Sequence, residues 1–499
     1  MLEQTLYTYF GYSSFRPGQK EVVMSLLNGA DTLAMLPTGT GKSLCFQLPG
    51  YILEGAVIIV SPLLSLMQDQ VEQMMKRGEK RVVALNSFLS PIEKKEALSM
   101  LHHYKFIYLS PEMLGFPHII ERLKEIPISL LAIDEAHCIS QWGYDFRPDY
   151  LKLGNFRESL RNPLTLALTA TATPEVRDDI AGKLMIEKAT RIETSIDRPN
   201  ISFHIEKLES LTEKNGRALY WVKELKQPGI IYFSSKKAAE QTAAYFRDNG
   251  VTKAMAYHAG MDMEQRVLIQ QQFLNGQLDV ICATSAFGMG INKENVRYVI
   301  HYHMPMQIES YLQEIGRAGR DGDPSTAILL YSEGDEQLQY HLAASELPSP
   351  DQLEVFFSSL GSNTSQFDSP FELEQAACAS GLSENQWRWL ASCLGGQQEV
   401  QIPILKKELD AYVKGRNCAK MENIRRMLEW IGAPGCLRNY FLRYFQEPEL
   451  KSGGMLCCDN CGLDMDVYKK GDSGIPVQGK VKSWKERLSG LLLGETYDE

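Results

Sequence analysis

Leu36-Pro37-Thr38-Gly39-Thr40-Gly41-Lys42-Ser43 is the stretch on which the fold turns. Upstream, Asp31 to Met35 reads as a short buried strand; downstream, Ser43 to Leu48 opens a helix. Gly39 and Gly41 therefore fall where backbone must approach an anion closely. A strand, a glycine turn and a helix N-terminus form the setting a phosphate cradle requires. Amides of the turn surround the β-phosphate of a nucleoside triphosphate, Lys42 reaches the β- and γ-phosphates, and the Ser43 hydroxyl binds Mg2+. The generic pattern carries Gly where this chain has Leu36. Thr38, Gly39, Thr40, Gly41, Lys42 and Ser43 are the candidate ATP-binding residues of this turn.

With 499 residues the chain exceeds one compact core, and about three domains are expected. Its 44% hydrophobic content is that of an ordinary globular protein. A net charge of −10 argues against binding nucleic acid through bulk charge, so any such site must be local. No run of about 18 apolar residues occurs, and Glu3 and Gln4 stand where a signal peptide would be basic. No membrane association and a cytoplasmic setting are expected. Of ten cysteines, four lie close to the C-terminus and two are adjacent, which suggests a metal site in a reducing compartment more than a disulfide framework.

Before the phosphate loop, Phe15-Arg16-Pro17-Gly18-Gln19 leads into a helical pattern from Gln19 to Leu27. Gln19 both donates and accepts, which suits an adenine edge, and the Arg16 guanidinium can stack on a base. The alternative is a plain helix with a polar start. From Ala56 to Thr169 short β-rich runs alternate with helical ones, the rhythm of a parallel sheet covered on both faces. Four polar clusters each follow a strand: Ser61-Pro62-Leu63, Ser110-Pro111-Glu112, Asp134-Glu135-Ala136-His137 and Thr169-Ala170-Thr171. Binding loops of such folds lie at those strand ends. An apolar strand ending in two acids needs charged partners, and Mg2+ is the obvious one. Asp134 then holds the metal, Glu135 polarises the attacking water, and His137 links this site to its neighbour.

After His137 come Trp142, Tyr144, Phe146, Arg147 and Tyr150 with no helical or strand periodicity. Aromatics on a loop beside an ATPase centre offer faces for unstacked bases, and Arg147 offers a cation for phosphate. Stacking one base yields about 1–3 kcal/mol, and opening one DNA step costs about 1.4 kcal/mol. One contact offsets about one melted pair, so repeated melting must be coupled to a nucleotide cycle. Anchoring of Trp142 and Phe146 onto the sheet is the competing explanation.

These residues resemble the RecQ family of ATP-dependent DNA helicases, within superfamily 2. The matches are Phe15 to Gln19, the Pro-Thr-Gly-x-Gly-Lys-Ser form of the phosphate loop, the Asp134-Glu135-Ala136-His137 box and the aromatic-rich loop. The resemblance covers roughly Leu6 to Cys461 and implies a 3′-to-5′ DNA helicase. A second alternating region begins near Pro228, without a second phosphate loop, and the polar segment Ile205 to Arg217 is expected as the hinge. Tyr257 to Met261, with His258, and Thr284 to Gly290 match the family's second-domain motifs, and their small residues let amides approach a phosphodiester. Glu309 to Arg317 reads as a helix placing Arg317 and Arg320 on one face, as arginine fingers for the γ-phosphate. Salt bridges to Asp321 or Asp323 are the alternative.

Beyond Ser345 the composition becomes helical, ending in Cys436, Cys457, Cys458 and Cys461. The family's zinc-binding subdomain implies a structural Zn2+ on these four thiolates, with Cys418 a possible substitute because Cys457 and Cys458 are adjacent. The expected organisation is α/β: RecA-like parallel-sheet motor domains at 1–204 and 205–344, a helical zinc-binding subdomain at 345–468 and a tail at 469–499. That tail is too short for the winged-helix and further helical domains of many family members. The function implied is a monomeric helicase using ATP, Mg2+ and Zn2+ on single-stranded and branched duplex DNA, in repair or recombination. An RNA helicase and an ATP-gated nucleic-acid clamp are the alternatives.

Overall fold

A computed structural model describes residues 2–62, 64–86, 89–140, 147–288, 293–360, 370–394, 402–451 and 456–470. The first sheet comprises β1 (Thr32–Met35), β2 (Ala56–Val60), β3 (Val82–Leu85), β4 (Phe106–Leu109), β5 (Ile128–Ile133), β6 (Thr165–Thr169) and β7 (Thr190–Glu193). They lie in the order β3-β4-β2-β5-β6-β1-β7, all parallel. Runs such as Ala-Val-Ile-Ile-Val in β2 are apolar at every position because helices cover both faces, and every β2 residue is buried. The edge strand β7, Thr-Arg-Ile-Glu, is largely exposed and has no such run, so its sequence carries little strand signal.

The second sheet comprises β8 (Ile201–Leu208), β9 (Gly229–Tyr232), β10 (Ala254–Tyr257), β11 (Val280–Ala283), β12 (Tyr298–His301) and β13 (Ser325–Ser332), ordered β10-β11-β9-β12-β13-β8 and again all parallel. Two RecA-like parallel-sheet lobes in tandem are therefore present. The boundary expected at 204/205 falls inside β8, which pairs along its length with β13, so the second lobe begins by Ile201. The expected hinge Ile205 to Arg217 is not one: it contains the second half of β8 and the start of helix Lys214–Glu224, and the chain crosses between lobes just before Ile201. His204 and Ile205 find their partners in Asp459, whose carboxylate takes the Ile205 N–H at 2.6 Å and lies 2.7 Å from His204 Nδ1.

Beyond the sheets, helices Pro350–Leu360, Pro370–Ala379, Glu384–Leu394 and the first half of the 30-residue Ile402–Ile431 enclose a separate core around Leu353, Phe356, Leu390 and Leu409. The second half of the long helix returns to the lobes. Trp430 is fully buried, with ring centroids 4.8 Å from both Tyr311 and Phe441. The cysteine segment runs along the outer edge of β8, where the Phe203 N–H donates to the Cys457 carbonyl at 3.0 Å. That edge, which would otherwise expose unpaired backbone, is thereby covered.

Candidate functional site

Strands β5, β6 and β1 are successive neighbours, so their carboxyl-end loops bring the acid box, Thr169 and the phosphate loop side by side. Gly39 and Gly41 take φ of 88° and 76°, left-handed values that a side chain would strain. A Cβ on Gly39 would stand 3.1 Å from Arg320 Cγ of the other lobe, and one on Gly41 would stand 3.1 Å from Gln19 Nε2. The glycines therefore admit protein neighbours as well as an anion. Gln19 donates to the carbonyls of Thr40 at 2.7 Å and Gly41 at 3.0 Å and accepts from the Arg16 N–H at 2.9 Å. Arg16 donates to the Gly39 carbonyl. Both residues proposed to read the base thus brace the turn of the phosphate loop.

Lys42 Nζ lies 3.4 Å from Glu135 Oε1. Glu135 sits at φ 47°, a strained conformation for a side chain with Cβ, and is buried. Burial works against its charge, but Lys42, His137 and Arg317 together hold its carboxyl below the usual range. Asp134 goes the other way: burial, then repulsion from Glu135, pushes it up to about 6. A buried carboxylate that resists charging is what a cation at this position would relieve. His137 Nδ1 lies 3.0 Å from Thr169 Oγ1 and 3.4 Å from Glu135 Oε2, so it joins the acid box to the loop after β6.

From the second lobe, the helix expected over Glu309 to Arg317 is Ile308–Ile315, and the two arginines lie past its end on a turn. Gly319, in a left-handed conformation at φ 55°, closes that turn against Asn200, Asp323 and Ser325, where a Cβ would not fit. Arg317 is buried and donates to the Gly288 carbonyl of its own lobe. Arg320 packs its aliphatic stem on Gly39. Asp321 pairs with Arg297, as does Asp323 at 3.5 Å, so the acids next to the arginines are engaged elsewhere. Arg16, Gln19, Lys42, Asp134, Glu135, Arg317 and Arg320 line one cleft of about 1400 Å3, counting space open to solvent.

Trp142 and Phe146 lie outside the described residues. Arg147 is described: its guanidinium donates to the Pro62 carbonyl at 2.6 Å, which ties the start of the next segment to the loop after β2. His258 and Thr284 follow β10 and β11, which are neighbours. His258 is buried, with Nε2 at 2.8 Å from Glu240 Oε1 and Nδ1 without a hydrogen-bond partner. Thr284 donates its N–H to the Tyr257 carbonyl at 3.1 Å.

The sulfurs of Cys436, Cys457, Cys458 and Cys461 lie within 4.8 Å of one another. Sγ separations of 3.5 Å (Cys436 to Cys457), 4.0 Å (Cys436 to Cys458) and 3.6 Å (Cys458 to Cys461) are far too long for disulfides. They bracket the ~3.8 Å edge of a tetrahedron built on a Zn–S bond of about 2.3 Å. Cys418 is exposed on the long helix and stands outside this cluster. No sequence motif marks Arg198 or Arg438, because Arg198 bonds to backbone carbonyls and Arg438 to Asp197 and to the carbonyls of Arg198 and Ile201, all distant in sequence. The signal available was a cation placed where the chain crosses between lobes, Asp197-Arg198-Pro199-Asn200.

Residues 16–180 match the model of the DEAD/DEAH box helicases, and residues 206–322 match the helicase conserved C-terminal domain. The chain is 44% identical over 500 residues to the probable ATP-dependent DNA helicase RecS of Bacillus subtilis, covering 100% of this chain and 99% of that one. It is 42% identical to the ATP-dependent DNA helicase RecQ of Pasteurella multocida over 66% of its own length, and spans about half, 52%, of that relative. Among solved structures, the DEAD-box helicase Mss116 bound to ssRNA and UDP-BeF superposes with a TM-score of 0.56 at 16% identity, over 87% of this chain and 94% of that one, a likeness of fold. No described helix is long and apolar enough to cross a membrane. The chain belongs to the RecQ family of superfamily 2 ATP-dependent DNA helicases.

Proposed function

We propose that this chain couples ATP hydrolysis to 3′-to-5′ translocation on single-stranded DNA and to unwinding of duplex or branched DNA, acting as a cytoplasmic monomer in repair or recombination. The observation that carries the reading is the convergence of Lys42 and Glu135 from one lobe with Arg317 and Arg320 from the other on a single cleft. Lys42 holds the β- and γ-phosphates against the loop amides, and Glu135, kept ionised by its cationic neighbours, orients the attacking water. Arg317 and Arg320 meet the charge that develops on the γ-phosphate. The Ser43 hydroxyl and the Asp134 carboxylate would hold Mg2+, whose charge would further neutralise the phosphate oxygens.

Binding closes the lobes because only the closed form offers both sets of cations, and release of the γ-phosphate relaxes them. A strand lying across both lobes, against Trp142, Phe146 and Arg147 on one and His258 and Thr284 on the other, is then moved at each cycle. The four thiolates of the cysteine cluster would hold a Zn2+ ion, which would serve a structural role. Direction, repair role and strand path follow the family and the sequence motifs. The test is ATP-dependent strand displacement on forked, 3′-tailed, 5′-tailed and blunt duplexes, with ATPase stimulation by single-stranded DNA and RNA compared. Displacement of 3′-tailed and forked substrates with DNA-selective stimulation is expected. Preference for 5′ tails, or stimulation by RNA alone, would overturn the proposal.

A further inference from the structure

Arg198 stands where the chain passes from the first lobe to the second, and its guanidinium spans both. Nη1 donates to the Thr38 carbonyl of the phosphate loop at 3.0 Å and to the Gly316 carbonyl at 3.3 Å. Nη2 donates to the carbonyls of Ala318 at 3.2 Å and Gly319 at 2.7 Å. One planar fork therefore ties the loop that cradles phosphate to the turn that carries Arg317 and Arg320. Arg320 and Arg198 both reach Gly39, with Arg198 Nη1 3.5 Å from where a Cβ would stand. Burial, and next the charge of Arg16, press the Arg198 guanidinium below its usual range. A cation kept at such a spot needs its carbonyls, and they come from both sides of the cleft.

The position of Arg198 is in turn set from the cysteine-bearing segment. Arg438, 3% exposed, ion-pairs with Asp197 and donates to the carbonyls of Arg198 at 3.0 Å and Ile201 at 2.5 Å. It is the second residue of helix Leu437–Tyr444, whose N-cap is Cys436. The Leu437 N–H donates to Cys458 Sγ at 3.4 Å. A continuous chain of contacts thus runs from the sulfur cluster through Arg438 to the crossing segment, and through Arg198 to both halves of the cleft.

We propose that Arg198 is a positioning residue for ATP hydrolysis, holding the phosphate loop and the arginine turn in register across the lobes, and that Arg438 fixes where Arg198 stands. The role rests on the reading of the cleft as an ATPase centre. Its test uses the full chain with Arg198→Ala, Arg198→Lys, Arg438→Ala and the Arg198→Ala/Arg438→Ala double variant. Steady-state ATPase with single-stranded DNA is measured beside the affinity for the fluorescent analogue mant-ATP and the thermal midpoint. Arg198→Ala is expected to raise KM, lower kcat and weaken mant-ATP by about ten-fold each, the size of one charge-assisted hydrogen bond, with little change in midpoint. Millimolar guanidinium restores part of the loss. Lysine restores less than half of it, because a point charge cannot bridge four carbonyls. The double variant loses no more than Arg198→Ala alone, since both act on one segment.

Unchanged KM, kcat and mant-ATP affinity, or a lowered midpoint with KM unmoved, would overturn the role of Arg198. Additive losses would overturn that of Arg438. A parent chain with no ATP turnover refutes the ATPase reading, whereas the mant-ATP comparison still decides whether Arg198 joins the two halves of the nucleotide site.

Discussion

Arg320→Ala separates chemistry from stability with opposite signs. Burial, and then the guanidinium groups of Arg317 and Arg198, press Arg320 well below its usual range, to about 9. A shift of that kind corresponds to on the order of several kcal/mol of destabilised charge. Glu294 offsets part of it in the empty cleft, and a γ-phosphate would offset more, so the side chain would contribute most when the cleft is filled. Replacing it by alanine is expected to lower kcat by about 10³-fold, the range of an arginine finger. Affinity for ADP, which lacks the γ-phosphate, should change by less than about three-fold. The thermal midpoint should hold or rise, because two neighbouring cations lose a third. Steady-state ATPase, calorimetric ADP binding and a thermal melt read these quantities on one preparation. A variant that keeps its kcat, or that loses ADP and ATP affinity equally, would refute the reasoning.

Lys42→Ala should abolish ATP turnover and leave single-stranded DNA binding by fluorescence anisotropy largely intact; joint loss would indicate a folding defect instead. Trp142→Ala should leave basal hydrolysis in place and reduce its stimulation by DNA, and unchanged stimulation would make that loop a scaffold. Cys461→Ser should remove about one zinc per chain by elemental analysis and lower the thermal midpoint more than it lowers kcat at a permissive temperature. An equally heat-resistant variant with its zinc retained would count against that ligand. Trp430→Ala empties a fully buried site between Tyr311 and Phe441, and urea unfolding should show a loss of about 3–5 kcal/mol.

The phosphate loop, the acid box and most strands are legible in the sequence because their meaning is local. Apolar runs such as Val57 to Val60 mark the strands, and glycines or acids at their ends mark the loops. The fate of the Glu309 helix is less legible: it stops at Ile315, and the turn that follows seats Gly319 against Asn200, a residue from the crossing segment. Strand β8 reads as a polar hinge because Asp459, 255 positions from His204, supplies its missing partners. Arg198 was invisible for the same reason. Its carbonyl partners Thr38 and Gly316 lie 160 and 118 positions away, and nothing about a carbonyl is written in the residue that bears it. The four cysteines stand out in the sequence, but their closure into one cluster depends on the turn after helix Ile402–Ile431 and on β8, which no spacing rule contains.

The most direct measurement is a crystal structure of the chain with ADP, aluminium fluoride and Mg2+, a mimic of the γ-phosphate in transfer. Lys42 and at least one of Arg317 and Arg320 should lie within hydrogen-bonding distance of the fluoride group, from opposite lobes. Both arginines turned away from it, with the lobes closed, would rule out a nucleotide gripped from both lobes.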